Sequence, residues 1–139
     1  MSTFNKFNAF VNDVASKVHN LGSDTLKVML TNTAPVATNA VKADITEISA
    51  ANGYTAGGTA ATLSSSGQTS GTYKLVLNNV TFTASGGSIA TFRYAVLYNS
   101  TAASGNLIGY FDYGATVTVT TGNSFQVQFD CTNGVLQLA

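Results

Sequence analysis

Charge is what this sequence has least of. Charged residues make up 9% of its 139 positions, against roughly 25% in an ordinary soluble domain. Six basic residues balance six acidic ones, which argues against a nucleic-acid partner, because phosphate affinity comes from clustered lysine and arginine. One histidine, one cysteine and six scattered carboxylates offer no metal-ligand spacing. Cys131 stands alone, so no intrachain disulfide forms. It is expected to pack as a small buried apolar residue in a chain at home in a reducing compartment. No apolar run is long enough to span a membrane. The first residues lack the basic and apolar regions of a secretion signal, and the expectation is a soluble chain. Tryptophan is missing altogether.

What is present is polar but uncharged. Thr, Ser, Asn and Gly together fill 59 positions, while a hydrophobic share of 45% with 14 Phe and Tyr argues against disorder. This length corresponds to a single domain, 1–139, and buries roughly 70% of the extended chain's surface, enough for its own core. A near-zero net charge does nothing to oppose association. A Thr/Ser/Asn surface can also meet a neighbour without desolvating ions. Both features suit a chain that works inside an assembly.

Two periodicities divide the chain. Phe4, Phe7, Phe10, Val11, Val14, Val18 and Leu21 recur every three or four residues, which predicts one amphipathic helix of 16 to 18 residues within 1–22. Ser2 or Thr3 would cap its start, and His19 and Gly22 would form its last turn and C′ position. The apolar face is expected to cover the β-domain or, on a sharper reading, to contact another subunit or assembly partner. From Asp24 the period is two. Leu26, Val28 and Leu30 alternate with Thr25, Lys27, Met29 and Thr31. Tyr73, Leu75 and Leu77 alternate with polar positions that Val76 interrupts, and Phe125, Val127 and Phe129 with Ser124, Gln126, Gln128 and Asp130. Phe92, Tyr94, Val96 and Tyr98 are expected on one face of a strand, with Ala95 and Leu97 on the other, both covered. Turns at Gly86-Gly87, Ser104-Gly105-Asn106, Gly122-Asn123 and Asn133-Gly134 separate these runs. Seven to nine short strands result. The fold class is mainly β: an antiparallel β-sandwich or jelly-roll-like domain over 24–139 with one N-terminal amphipathic helix. A long loop-rich segment, about 36–71, has few apolar anchors and is expected to be held by a partner.

Catalytic constellations are missing. Asp44 and Glu47 stand three apart and read as solvated. Asp112 and Asp130 could meet across a sheet as a glycosidase pair, but both flank turns that aspartate favours. The only histidine, His19, is expected at a helix end facing the dipole or solvent. Gly53-Tyr54-Thr55-Ala56-Gly57-Gly58 lacks the G-K-[ST] ending of a phosphate loop and is followed by no clear helix. Tyr94, Tyr98, Tyr110, Phe111 and Tyr113 could stack on sugars, although core or subunit contact is the plainer role for alternating aromatics. The sequons at Asn79 and Asn99 are expected by chance in so Asn- and Thr-rich a chain. No enzyme, cofactor or metal is expected.

Several segments carry a resemblance. Asp44-Ile45-Thr46-Glu47-Ile48 followed by Asn52-Gly53-Tyr54-Thr55-Ala56-Gly57-Gly58 resembles a block common in small structural proteins of tailed bacteriophages. His19 to Val28, Leu30 to Pro35, Phe92 to Asn99 and Leu107 to Gly114 resemble the same family, so the match covers nearly the whole chain in order. The resemblance implies a virion protein made in the bacterial host cytoplasm, and most plausibly a head decoration or cement protein. Its partners would be the major capsid protein and itself, as a homotrimer, with neither nucleic acid nor membrane. Tail-tube, neck or fibre-attachment proteins are the alternative, and a carbohydrate-binding or adhesin module a second. Expected subunit or capsid contacts are Ile45, Ile48, Asn52, Gly53, Tyr54, Thr55, Gly57 and Gly58.

Overall fold

The computed structural model describes residues 3–139. Ten strands form: β1 (Phe4–Lys6), β2 (Leu26–Thr31), β3 (Thr59–Ala61), β4 (Leu63–Thr69), β5 (Thr72–Leu77), β6 (Val80–Thr83), β7 (Phe92–Asn99), β8 (Leu107–Val117), β9 (Ser124–Val127) and β10 (Leu136–Leu138). One α-helix, α1 (Asn8–Ala15), and a 3-10 turn at Lys42–Asp44 complete the regular structure. The strands make a five-stranded sheet in the order β1-β8-β7-β2-β3, a three-stranded sheet β10-β5-β4 and a two-stranded sheet β6-β9. All pairings between these strands are antiparallel. The mainly β, sandwich-like class expected from the period-two runs is the one that forms.

The core lies between the large sheet and the two smaller ones. Leu26, Val28, Leu30, Ala95, Leu97 and Ile108 from the first pack with Leu75 and Leu77 from the second and Val80, Phe82 and Val127 from the third. Because side chains alternate along a strand, Met29, Val96, Tyr98 and Leu107 point out of the opposite face of the large sheet. There Phe7 joins them, and Ile45 and Tyr110 pack alongside. Both faces of β7 are therefore covered. The expected partition of β7 fails at one residue. Phe92 packs in the main core with Ala95 and Leu97, because the register with β8 shifts between Phe92 and Tyr94 and a bulge changes which face a side chain meets.

The N-terminal helix is half as long as its periodicity predicts. It is eight residues long and begins after Phe7, whose extended backbone serves as the N-cap without a side-chain cap. Thr3 does not cap it, and Ser2 lies outside the described residues. Phe4–Lys6 is drawn instead onto the free edge of β8, pairing Phe4 with Phe111 and Lys6 with Gly109. The Phe4 and Phe111 rings stand 5.2 Å apart. Gly109 makes this approach feasible, since a Cβ there would lie 2.3 Å from the Phe4 ring. At its other end the helix stops at Lys17, not Gly22. Lys17 takes a left-handed φ of 66°, and the Val18 and Lys17 N–H groups donate back to the Asp13 (2.9 Å) and Val14 (3.4 Å) carbonyls. That is a Schellman stop with lysine in the usual glycine position. Phe7 and Phe10 are fully buried inside the chain, so the helix covers the β-domain. Val11, on the expected apolar face, is 55% exposed.

Candidate contact surfaces

The segment 36–71 is not wholly loop. It contains β3 and β4, and its irregular part is tied to the body by main-chain bonds. Asn8 N–H donates to Ala37 O, Leu107 to Ala40, Lys42 to Gly105, Ile48 to Leu30 and Ser85 to Asn52, all at 2.9 to 3.1 Å. Thr31 Oγ1 donates to the Thr46 carbonyl. Sequence reasoning looked for apolar anchors and missed these, because main-chain pairing leaves no hydropathy signal.

Beneath this loop sits a compact polar knot. The Tyr54 hydroxyl donates to Glu47 Oε2 (2.5 Å) and accepts the Leu30 N–H (3.1 Å). Glu47 Oε2 also accepts the Gly57 N–H at 2.7 Å, and the Tyr98 hydroxyl donates to the Gly57 carbonyl at 2.6 Å. Burial, and then the hydrogen bond to Glu47, hold the Tyr54 hydroxyl protonated far above tyrosine's ordinary value. Burial followed by the Glu47 charge also raises the Tyr98 hydroxyl above its ordinary value. Glu47 is the chain's single glutamate. Gly58 closes the turn against β2 with φ of 79°, and a Cβ there would lie 1.8 Å from the Val28 carbonyl oxygen.

The eight expected contact residues therefore divide by exposure. Tyr54 and Gly57 are buried within the chain, while Ile45, Ile48 and Gly58 are half-buried. Ile45 packs against the Tyr98 cluster and Ile48 against the main core. Asn52, Gly53 and Thr55 are exposed, although Asn52 Nδ2 donates to the Ser88 carbonyl at 2.9 Å.

The carboxylates are engaged structurally. Asp44 accepts the Ala40 and Val41 N–H groups, and Asp130 accepts those of Thr132 and Asn133. Main-chain donors thereby hold both below the usual carboxylate range. Asp112 is held low by the Arg93 guanidinium and next by the Gly114 N–H. A proton-donating acid at neutral pH needs the opposite shift. Cys131 is exposed rather than buried, because it occupies the turn that Asp130 organises and not a strand. His19 is likewise displaced from expectation. It is buried beyond the helix end, 8% exposed, with Nδ1 accepting from Asn99 Nδ2 at 3.0 Å and its ring 5.3 Å from Phe10. Nε2 is buried without a partner. Burial lowers its pKa, opposed by the charges of Asp13 and Asp24.

Two open surfaces stand out. The first is the outer edge of β4, Leu-Ser-Ser-Ser-Gly-Gln-Thr, in which all seven residues are exposed and none is charged. β1, β3 and β10, the other edges of the larger sheets, are three residues each. The second is a cleft of ≈390 Å³ between β7, β8 and β9, lined by Phe92, Phe111, Tyr113, Phe125, Arg93 and Gln128 among others. It owes its shape to a wide bulge. Phe92 pairs with Val117 but Tyr94 with Asp112, so Tyr113 to Thr116 of β8 lie opposite Arg93 alone. All four are exposed. Of the aromatic group noted in the sequence, only Phe111 and Tyr113 reach this cleft. Phe92, Phe125 and the chain's one arginine were not anticipated there, and the bulge that gathers them leaves only Gly114 as a trace.

Among the described residues no group of His, Cys, Asp or Glu could hold a metal, and no helix is long and apolar enough to cross a membrane. Comparison with known protein families, curated proteins and solved structures returns no match.

Proposed function

We propose that the chain is a non-catalytic structural protein of a tailed-bacteriophage virion, a decoration or cement protein bound to the outer surface of the assembled head. The resemblance of its segments to small phage structural proteins supplies the biological setting. The observation that carries the assembly role is the β4 edge. Proteins that remain single blunt such edges with charge, proline or short length, whereas β4 presents seven exposed residues with no charge and no proline. An unprotected edge of this kind suits strand addition by a neighbouring copy.

A heterologous contact of this sort closes into a ring when its rotation permits, and a homotrimer is the smallest ring beyond a dimer. Several weak contacts to the major capsid protein then add through multivalency. Binding only the assembled shell stabilises it by mass action. Asn52, Gly53 and Thr55 remain the exposed part of the contact block, and the depression beside it, lined by Lys42, Ile45 and Glu47, could receive a side chain of the shell.

Quantitative mass spectrometry of purified virions tests this. A copy number equal to that of the capsid protein, or a fixed simple fraction of it, is the expected result. A count equal to a few rings would move the protein to the neck or tail. Absence from the virion would overturn the structural role.

A further inference from the structure

We propose that the cleft behind the β8 bulge is a binding site for neutral saccharides, taking one or two pyranose rings with Tyr113 as its stacking wall. At ≈390 Å³ it lies near the small end of ligand sites, which run from about 300 to 1,000 Å³. Its lining joins the two surfaces a sugar presents. Phe111, Phe125 and Tyr113 supply apolar rings for the C–H faces, with the buried Phe92 behind them. Tyr113 is 55% exposed and packs edge-on to Phe125 at 5.3 Å, while Phe92 packs edge-on to the same ring at 5.0 Å. One wall is thus braced and one is open.

The polar groups are hydrogen-bonded to one another and to their neighbours. Arg93 Nε and Nη2 donate to the two oxygens of Asp112 at 2.8 and 3.0 Å, which locks the guanidinium and leaves its Nη1 donors unused. Gln126 Nε2 donates to Thr81 Oγ1 (3.3 Å) and Gln128 Nε2 to Gln126 Oε1 (3.0 Å). That chain leaves the Gln128 carbonyl oxygen as a free acceptor. The tyrosine hydroxyl of residue 113 has no partner among the described residues.

Charge and hydrogen bonding narrow the occupant. Arg93 is paired with Asp112, so the rim carries no net charge and does not select an anion. An apolar side chain from a protein partner would bury the Arg93 N–H groups and the Gln128 oxygen unpaired, which is costly. A polyol satisfies them. The bulge itself is consistent with a built site, since extra residues beside a sheet edge re-aim a side chain towards a ligand. The site uses residues distinct from the β4 edge, so it stands or falls separately from the virion role.

The test is saturation-transfer NMR on the intact protein with maltose, cellobiose and N,N′-diacetylchitobiose at millimolar concentration, and a glucuronic-acid disaccharide as the anionic control. The expected result is transfer to at least one neutral disaccharide, weakened about tenfold by Tyr113→Ala and retained by Tyr113→Phe. Tyr113 is exposed, so truncation leaves the fold intact, which circular dichroism verifies. Gln128→Ala should weaken the same ligand without altering the melting curve. Absence of transfer from every neutral sugar, preference for the anionic one, or binding indifferent to Tyr113→Ala would each overturn the proposal. So would a Tyr113→Ala variant that loses self-association while never having bound sugar.

Discussion

The loop over 44–58 and the strand β4 invert the usual relation between regular structure and fixity. The loop has almost no repeating hydrogen-bond pattern, yet Tyr54 is buried, Glu47 accepts two donors and Gly58 touches the backbone of β2. β4 is a fully formed strand, yet every one of its residues faces solvent, and its ladder to β5 uses only one side. What decides whether a segment is available to a partner is the share of its polar groups already paired within the chain, not its regularity. The loop is closed and the strand is open.

Breaking the loop should have the largest effect on stability. Gly58→Ala places a methyl group 1.8 Å from the Val28 oxygen at a positive φ. Neither the rigid β2 backbone nor an alternative rotamer can relieve the clash. A loss of about 3 kcal/mol is expected in urea unfolding. A loss below about 1 kcal/mol would mean the loop can lift from β2, and the contrast with β4 would collapse.

Tyr54→Phe probes the same closure with less steric disturbance. It keeps the ring against Phe82, 5.8 Å away, but removes the hydroxyl. The Leu30 N–H then has no acceptor, and Glu47 loses one of its two donors. Leaving such groups unsatisfied costs about 1 to 3 kcal/mol. Tyr98→Phe should cost less, since it deprives only the Gly57 carbonyl. Equal and negligible losses in both variants, read from urea midpoints, would show that the knot does not hold the loop.

These anchors explain where the sequence was legible. Alternation in β2, β5 and β9 marks the side chains that enter the main core, because those apolar side chains themselves do the packing. A loop secured by one carboxylate, three hydroxyls and several main-chain donors has no periodic signature. Its glycines and Tyr54 were noticed as a block, but their partners Leu30, Val28 and Tyr98 lie far away in sequence. The N-terminus misled for a related reason. Phe4, Phe7 and Phe10 satisfy a helical spacing, but three residues gain more by completing the edge of β8, and Gly109 is the only sign that they fit there. Cys131 and His19 moved in opposite directions, one outward into an Asx-organised turn and the other inward beneath Phe10.

His19 offers a pH test at the seam between body and hairpin. A surface depression there joins Val18, His19 and Gly22 to Ser66, Tyr73 and Leu138. Burial depresses the imidazole's pKa in the folded chain against the pull of Asp13 and Asp24. The unfolded chain therefore binds more protons in the window that opens at about 6.5 and extends downward. Stability is complete above that window and declines as pH falls through it. The carboxylates held low by main-chain donors and Arg93 act separately, below about 4. Urea midpoints should fall from pH 7.5 to 5.5 in the parent and stay flat in His19→Gln. A parent midpoint constant over this interval would mean His19 titrates alike in both states.

The smallest effect on folding should come from β4, where the largest effect on assembly is expected. Ser64 lies in the register shift between Leu63 and Ser65 and is exposed. Ser64→Lys therefore removes no intrachain contact and should change stability by no more than about 0.5 kcal/mol. A charge on an edge strand opposes pairing with another copy, because the ammonium would have to be desolvated against a neighbouring strand. Light scattering of the parent should then report an oligomer and that of the variant a monomer, with superimposable melting profiles below the dissociation step. If both species associate alike, the open edge is not the assembly surface, and the exposed Asn52 to Thr55 turn becomes the next place to introduce a charge. If the variant unfolds instead, β4 contributes to the body after all and the distinction between a closed loop and an open strand fails from its other side.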